Sequence, residues 1–337
     1  MKNTILDMVE PLITTYTGHA HLLSVLGLNK DTYPWIFSNY IQIYSNKDLH
    51  KEAWADFYFP YPFELRTVDT CHWMATQKLL RNIVLDIWDN FVEAIMFFIN
   101  KEMYLHVMVD QYYIPNTRYY NLNHNLHDIF IYGYNREEEK IYACDFIGTG
   151  KYSKFELGFD EINKAFLDYE KCVNFDYLYQ NVYIYKVKSI CNYQPDFMNI
   201  LNTLTLYLNG TTPEYWTCYS DTTKNSRVYG MDCYKAYIDY VTKCFQLDEE
   251  INKALFYLLL DHKRIMTLRF KYLNQLGANY SSFIEKLSEI EDMAKTLLNL
   301  VLKYNIQKIQ TGEIIKHLNK IETTEYEVLT DILKVPY

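Results

Sequence analysis

The stretch from residue 124 to residue 146, HNLHDIFIYGYNREEEKIYACDF, limits the fold more than any other part of the chain. Ile129, Phe130, Ile131, Tyr132 and Tyr134 make DIFIYGY a β-favouring run, REEEK supplies a charged turn, and IYACDF forms a second run. The pattern predicts an antiparallel hairpin. His127 stands at the start of its first strand and Asp145 near the end of its second, positions that an antiparallel pair brings to the same end of a sheet. An imidazole held by a carboxylate is the base and orienter of a Cys-His-Asp apparatus for acyl transfer, because the carboxylate fixes the tautomer and stabilises the imidazolium. The plainer reading is a surface histidine at a strand start and an aspartate in a turn.

A site of this kind needs a sizeable scaffold, and the chain supplies one. Its 337 residues are 49% hydrophobic and 22% charged, enough for two globular domains. No run of about 18 apolar residues is free of charge, so no membrane span is expected. At the start, MKNTILDMVEPLITTY places Asp7, Glu10 and Pro11 before any apolar run reaches signal-peptide length, which argues against export. The seven cysteines (Cys71, Cys144, Cys172, Cys191, Cys218, Cys233 and Cys244) are scattered and lack a CxxC spacing. That pattern argues against a disulfide framework or a metal site and for a reducing, cytoplasmic setting. A net charge of −9 without a Lys/Arg stripe excludes a general nucleic-acid binder. The 34 tyrosines are spread along the chain without a basic patch between them, so they form no stacking platform for bases. No Gly-rich phosphate loop, HExxH or GxSxG occurs.

Taken in order, Gly18-His19-Ala20-His21 opens a short helical run through Leu22, Leu23, Val25 and Leu26. Residues 33–44 suit a buried helix, and residues 47–69, with Pro60 and Pro62, an ordered aromatic loop. From Thr70 to about Asn100, Trp73, Leu80, Val84, Ile87, Phe91, Ile95 and Phe98 recur at helical spacing, which predicts one long helix. YLHVMVDQYYIP and VYIYKVK read as further strands, with a helical segment around residues 159–170, so residues 1–190 are expected to form an α+β domain. Caps and apolar periods beyond it predict a helical domain over residues 191–337. Within that domain Asp261, His262 and Arg264 read as a solvated helix face with ordinary charge pairs.

Three blocks in order, VDQYYIPN at 109–116, HNLHDIFIYGYN and IYACDF, resemble the core of the N-terminal domain of the butirosin biosynthesis protein H family, itself similar to papain-like double-glycine leader peptidases. Asp110, Tyr112, Tyr113, His127, Gly133 and Asp145 fall on the family's positions, and Phe146 stands where its proline is usual. VYGMDCYKAYIDYV resembles the later part of such proteins. The resemblance implies a papain-like first domain and acyl or peptidyl transfer, or amide formation, in nonribosomal-peptide or related specialised-metabolite assembly. The implied partners are an acyl or peptidyl carrier protein, whose phosphopantetheine arm holds the thioester, and a small amine acceptor. No cofactor of the protein's own is implied.

The family places a cysteine at the start of the first helix, and that phase falls here on His19, with Leu23 and Leu26 after it. No cysteine precedes Cys71. His19 is therefore expected to face His127, and the protein either uses another nucleophile or has lost covalent catalysis. Cys71 is the alternative nucleophile, since TCHW opens the long helix expected from Thr70, whose N-terminus would lower a thiol pKa. Its plainer reading is a buried structural thiol. Cys144 adjoins Asp145 on a strand and so points away from any site that Asp145 serves. A catalytically silent relative, binding a carrier protein or peptide as a scaffold, is the second function class.

Overall fold

The computed structural model describes residues 3–59, 67–148, 150–168, 181–212, 226–307 and 312–335. The chain divides into two compact units, Met1–Thr32 with Leu65–Asn192, and Tyr33–Glu64 with Tyr193–Tyr337. In chain order, β1 (Asn3–Ile5) and α1 (Thr17–Leu26) belong to the first unit, then α2 (Tyr33–Asn39), β2 (Ile43–Asn46) and β3 (Ala55–Phe57) to the second. The first unit resumes with β4 (Met74–Leu80), α3 (Arg81–Ile87), α4 (Phe91–Ile99), β5 (Tyr104–Asp110), β6 (Leu126–Asn135) and β7 (Lys140–Ile147). It ends with β8 (Lys151–Gly158), α5 (Phe159–Leu167) and β9 (Asn181–Val187). The second unit continues with α6 (Phe197–Leu208), β10 (Arg227–Tyr229), α7 (Cys233–Gln246), α8 (Lys253–Gln275), α9 (Ser281–Gln307) and α10 (Gly312–Ile332).

The fold class is α+β with antiparallel sheets. Among the described residues the sheet of the first unit runs β4-β9-β5-β6-β7-β8, with β1 pairing the last residues of β6. The hairpin expected at 124–146 is β6–β7, with a bulge between Ile131 and Gly133. Gly133 is needed there. A Cβ on it would come within 2.8 Å of the Thr4 carbonyl oxygen, so only glycine lets β1 close on β6.

Alternation along the strands gives this sheet two unlike faces. Leu105, Val107 and Val109 of β5, Ile129 and Ile131 of β6, and Ala143 of β7 are buried in an apolar core with α4 and α5. His106, Asp128, Phe130 and Cys144 alternate with them on the other face, and α1 packs against β6 and β7. Asn90 starts α4 by accepting a hydrogen bond from the Glu93 amide, and Phe91, Ile95 and Ile99 bury its core side.

Several expectations need correction. Thr70–Asn100 is not one helix: Met74–Leu80 pairs with Asn181–Val187 along its whole length, and α3 and α4 follow as separate short helices. The free edge of β9 recruits β4, and that ladder outweighs the helical spacing of Trp73, Leu80 and Val84. Residues 33–44 begin as α2 but end in β2, which pairs with β3 and with the distant β10, so Tyr33–Glu64 joins the helical unit and the units do not part at a single cut near residue 190. Pro60 and Pro62 of the expected aromatic loop lie outside the described residues, and Ala55–Phe57 of that loop is β3.

A further correction lies in α8, where Asp261 and His262 are buried rather than solvated. Their neighbour Lys263, 1% exposed, places its ammonium 2.7 and 2.6 Å from the two carboxylate oxygens of Glu325 on α10. Tyr207 and Tyr234 each donate a hydroxyl to the same carboxylate, at 2.9 and 2.8 Å. His262 accepts from Lys263 through Nδ1 and donates through Nε2 to the Ile41 carbonyl. Burial, and then the charge of Lys263, hold His262 well below the usual histidine range, so the ring is neutral. Removing one member of such a network strands a charge in the interior. Glu325→Ala is expected to destabilise the protein by about 3–5 kcal/mol, and the double change Lys263→Met with Glu325→Met by much less. Urea denaturation followed by circular dichroism measures both.

Candidate functional site

The carboxyl end of β5, the start of β6 and the end of β7 meet at one end of the first unit's sheet. His127 and Asp145 come together there as their strand positions predict: the imidazole Nδ1 lies 3.0 Å from a carboxylate oxygen of Asp145. That choice of nitrogen leaves Nε2 for a reacting group, as a base-and-orienter pair requires. Asp145 is fully buried and held in place. Its second oxygen accepts from the Phe146 amide at 2.5 Å, and Gln111 donates to the oxygen that faces His127 at 3.3 Å. Gln111 is itself fixed by Asn125, through the Asn125 side-chain amide at 2.8 Å and a backbone bond to the Asn125 carbonyl.

The loop between β5 and β6 is tied down by a second carboxylate. Asp110 accepts from the Tyr112 and Asn125 amides and pairs with His124 Nδ1 at 2.5 Å, while the Tyr112 ring stacks on that histidine. Asp110 and Tyr112, two of the positions that carry the resemblance, thus shape the loop that brings Gln111 to Asp145.

Asp128, next to His127, serves a different group. One oxygen accepts from the Thr17 hydroxyl at 2.9 Å and lies 3.7 Å from His127 Nδ1. The other is 2.6 Å from His106 Nε2 and 3.7 Å from His21 Nε2. The outer nitrogens of both rings face tyrosine hydroxyls, Tyr152 for His21 at 2.9 Å and Tyr185 for His106 at 2.8 Å. His21, His106 and Asp128 therefore offer three ligand atoms within 4.8 Å of one another, a grouping able to hold a metal ion.

Electrostatics follow from this crowding. Burial disfavours a charged His127, but the hydrogen bond and charge of Asp145, with Asp128 beside it, outweigh that and raise the ring to about 9. A ring charged at neutral pH is an acid before it is a base. Burial pushes the Asp145 carboxyl up from the usual range, against the pull of His127. Burial acts on Asp128 in the same sense, but His106, His127 and His21 together hold its carboxyl well below that range.

The two candidate nucleophiles fare differently from expectation. Thr17, not His19, is the first residue of α1, and the side chains of α1 that meet Asp128 are Thr17 and His21. A step of two residues turns a helix by roughly 200°, so by phase the buried His19 stands away from the face those two share. Cys71 does not open a helix: it follows a short 3₁₀ turn, Thr67–Thr70, and precedes β4. Burial raises its thiol to about 12, so the lowered pKa expected of a helix start is not found. Cys144 is also buried and raised to about 12 by that burial.

Sequence reasoning missed Thr17, His21, His106, Asp128 and Gln111. The signal was present in part. Thr17 and His21 are four apart and share a helix face, and His106 and Asp128 have the parity of one strand face.

No protein-family model matches this chain, and no curated protein matches it. No helix among the described residues is long and apolar enough to cross a membrane.

In native protein at pH 8, iodoacetamide is expected to label the half-buried Cys191 well before Cys71, Cys144, Cys233 or Cys244, all of which are buried. Peptide mass spectrometry after timed labelling reads the order. Cys71 reacting first would return it to candidacy as a nucleophile.

Proposed function

We propose that this protein is a papain-like acyltransferase or amide synthase related to the butirosin biosynthesis protein H family. It moves an acyl or peptidyl group from a carrier-protein thioester to a small amine. The observation that carries the reading is the 3.0 Å contact of His127 Nδ1 with a buried, doubly anchored Asp145. A second observation supports it: the Thr17 hydroxyl at the start of α1 reaches Asp128 Oδ1, which is 3.7 Å from the His127 ring. The first helix therefore begins beside the dyad, where its backbone N–H groups suit an oxyanion.

The first turn of α1, Thr17-Gly18-His19-Ala20, holds no thiol. Direct aminolysis suits such a site. The amine nitrogen bonds to the thioester carbonyl carbon, and the carbon–sulfur bond breaks. The charged His127 gives its proton to the departing thiolate, and the neutral ring then takes a proton from the amide nitrogen being formed. The products are an amide and the free carrier thiol, with His127 regenerated. Asp145 keeps Nδ1 oriented throughout.

The same missing thiol favours a second reading, a silent relative that binds a carrier protein as a scaffold. Incubation with acyl-loaded carrier proteins and candidate amines, read by intact-protein mass spectrometry, separates the two. Amide formation is expected from the wild type without a covalent adduct, lost in His127→Ala and reduced about a hundred-fold or more in Asp145→Asn. Carrier binding without amide would put the scaffold reading in its place, and an acyl adduct on Cys71 would restore an ordinary cysteine enzyme.

A further inference from the structure

His21 and His106 have no part in the aminolysis just described, and Asp128 enters it only as a charge beside His127. We propose that these three residues bind a divalent transition-metal ion of the zinc type, through the two Nε2 atoms and one carboxylate oxygen. The spacing admits it. With Nε2 of His106 2.6 Å and Nε2 of His21 3.7 Å from the same Asp128 oxygen, and all three atoms within 4.8 Å, a central point lies about 2.4 Å or less from each. Metal bonds to nitrogen and oxygen are roughly 2.0–2.2 Å, so a shift of a few tenths of an ångström closes the site.

The surroundings point the same way. A ligating histidine usually engages its second nitrogen with an outer partner, which fixes the tautomer and aims the first nitrogen at the ion. Each ring has a hydroxyl at its second nitrogen that is able to accept such a bond, Tyr152 at Nδ1 of His21 and Tyr185 at Nδ1 of His106. Phe130 stacks on His21 and so sets its plane. Thr17 holds the second oxygen of Asp128, which leaves the first to face the two rings. Three converging donors on a helix and two strands form a three-residue set with a fourth position for water or substrate, and its nitrogen-rich chemistry selects zinc, cobalt or nickel over magnesium or calcium. The ion would replace the proton now shared between His106 and Asp128, so binding releases protons.

This inference stands apart from the acyl-transfer reading, and its test needs no substrate. Full-length protein treated with EDTA and dialysed is titrated with ZnCl₂ by calorimetry and with CoCl₂ by visible absorption. The expected result is one equivalent of Zn²⁺ bound, unaffected by excess MgCl₂, with cobalt d–d bands of a four- or five-coordinate site. His21→Gln and His106→Gln should each weaken binding at least tenfold, while His124→Gln, in the separate pair with Asp110, should not. A circular dichroism spectrum shows which variants fold, and the wild-type cobalt spectrum decides the matter if a His106 variant does not. No saturable single-equivalent binding, binding undiminished in a folded His21→Gln, or binding lost in His124→Gln would each overturn the proposal and leave the cluster as a hydrogen-bonded ion pair.

Discussion

Successive residues on a strand point to opposite faces, and in β6 this sends His127 and Asp128 to different partners. His127 shares its parity with Ile129 and Ile131 and reaches Asp145, while Asp128 shares the parity of Phe130 and reaches His106, His21 and Thr17. The arrangement rests on the register of β5 against β6, where Val107 opposes Ile129 and Leu105 opposes Ile131 in the apolar core. A slip of one residue would carry the Asp128 carboxylate into that core and the isoleucines out of it. Burial of the apolar face thus fixes the geometry of the polar one.

Much of this was legible where local pattern and tertiary need agree. The β6–β7 hairpin announces itself through its alternating β-branched and aromatic residues and charged turn, and its antiparallel sense alone brings His127 toward Asp145. The helices of the second unit likewise follow their apolar period, because each buries one stripe against its neighbours. Reading fails where partners are remote in sequence. Met74–Leu80 carries a helical spacing yet becomes a strand because β9, more than a hundred residues on, has an edge to fill. Ile43–Asn46 becomes a strand between the nearby Ala55–Phe57 and the remote Arg227–Tyr229.

The candidate site shows the same division. Each half of the His127–Asp145 pair sits on one hairpin, so spacing suffices to join them. The Asp128 group draws on α1, β5, β6, β8 and β9, and no local spacing gathers Thr17, His21, His106, Tyr152 and Tyr185. The family resemblance directed attention to His19, but the first helical residue is Thr17, and a two-residue difference in phase moves a side chain across the helix. Cys71 lost its candidacy for a related reason, since its assumed helix start is a turn leading into an edge strand.

The two units use buried charge in opposite ways, and the contrast bears on where chemistry belongs. In the second unit Lys263 and Glu325 meet with both carboxylate oxygens engaged, two tyrosine hydroxyls added and His262 neutral, while the Arg269 guanidinium donates to the Phe37 and Tyr40 carbonyls. Each of these buried charges is answered inside the protein, which suits groups that set packing. In the first unit a single carboxylate, Asp128, lies near three histidines, and His127 keeps 35% of its side chain exposed beside a fully buried Asp145. A carboxylate that three imidazoles approach, next to a ring open to solvent, is a place where protons or ions exchange. That opening is what separates a site from a buried salt bridge.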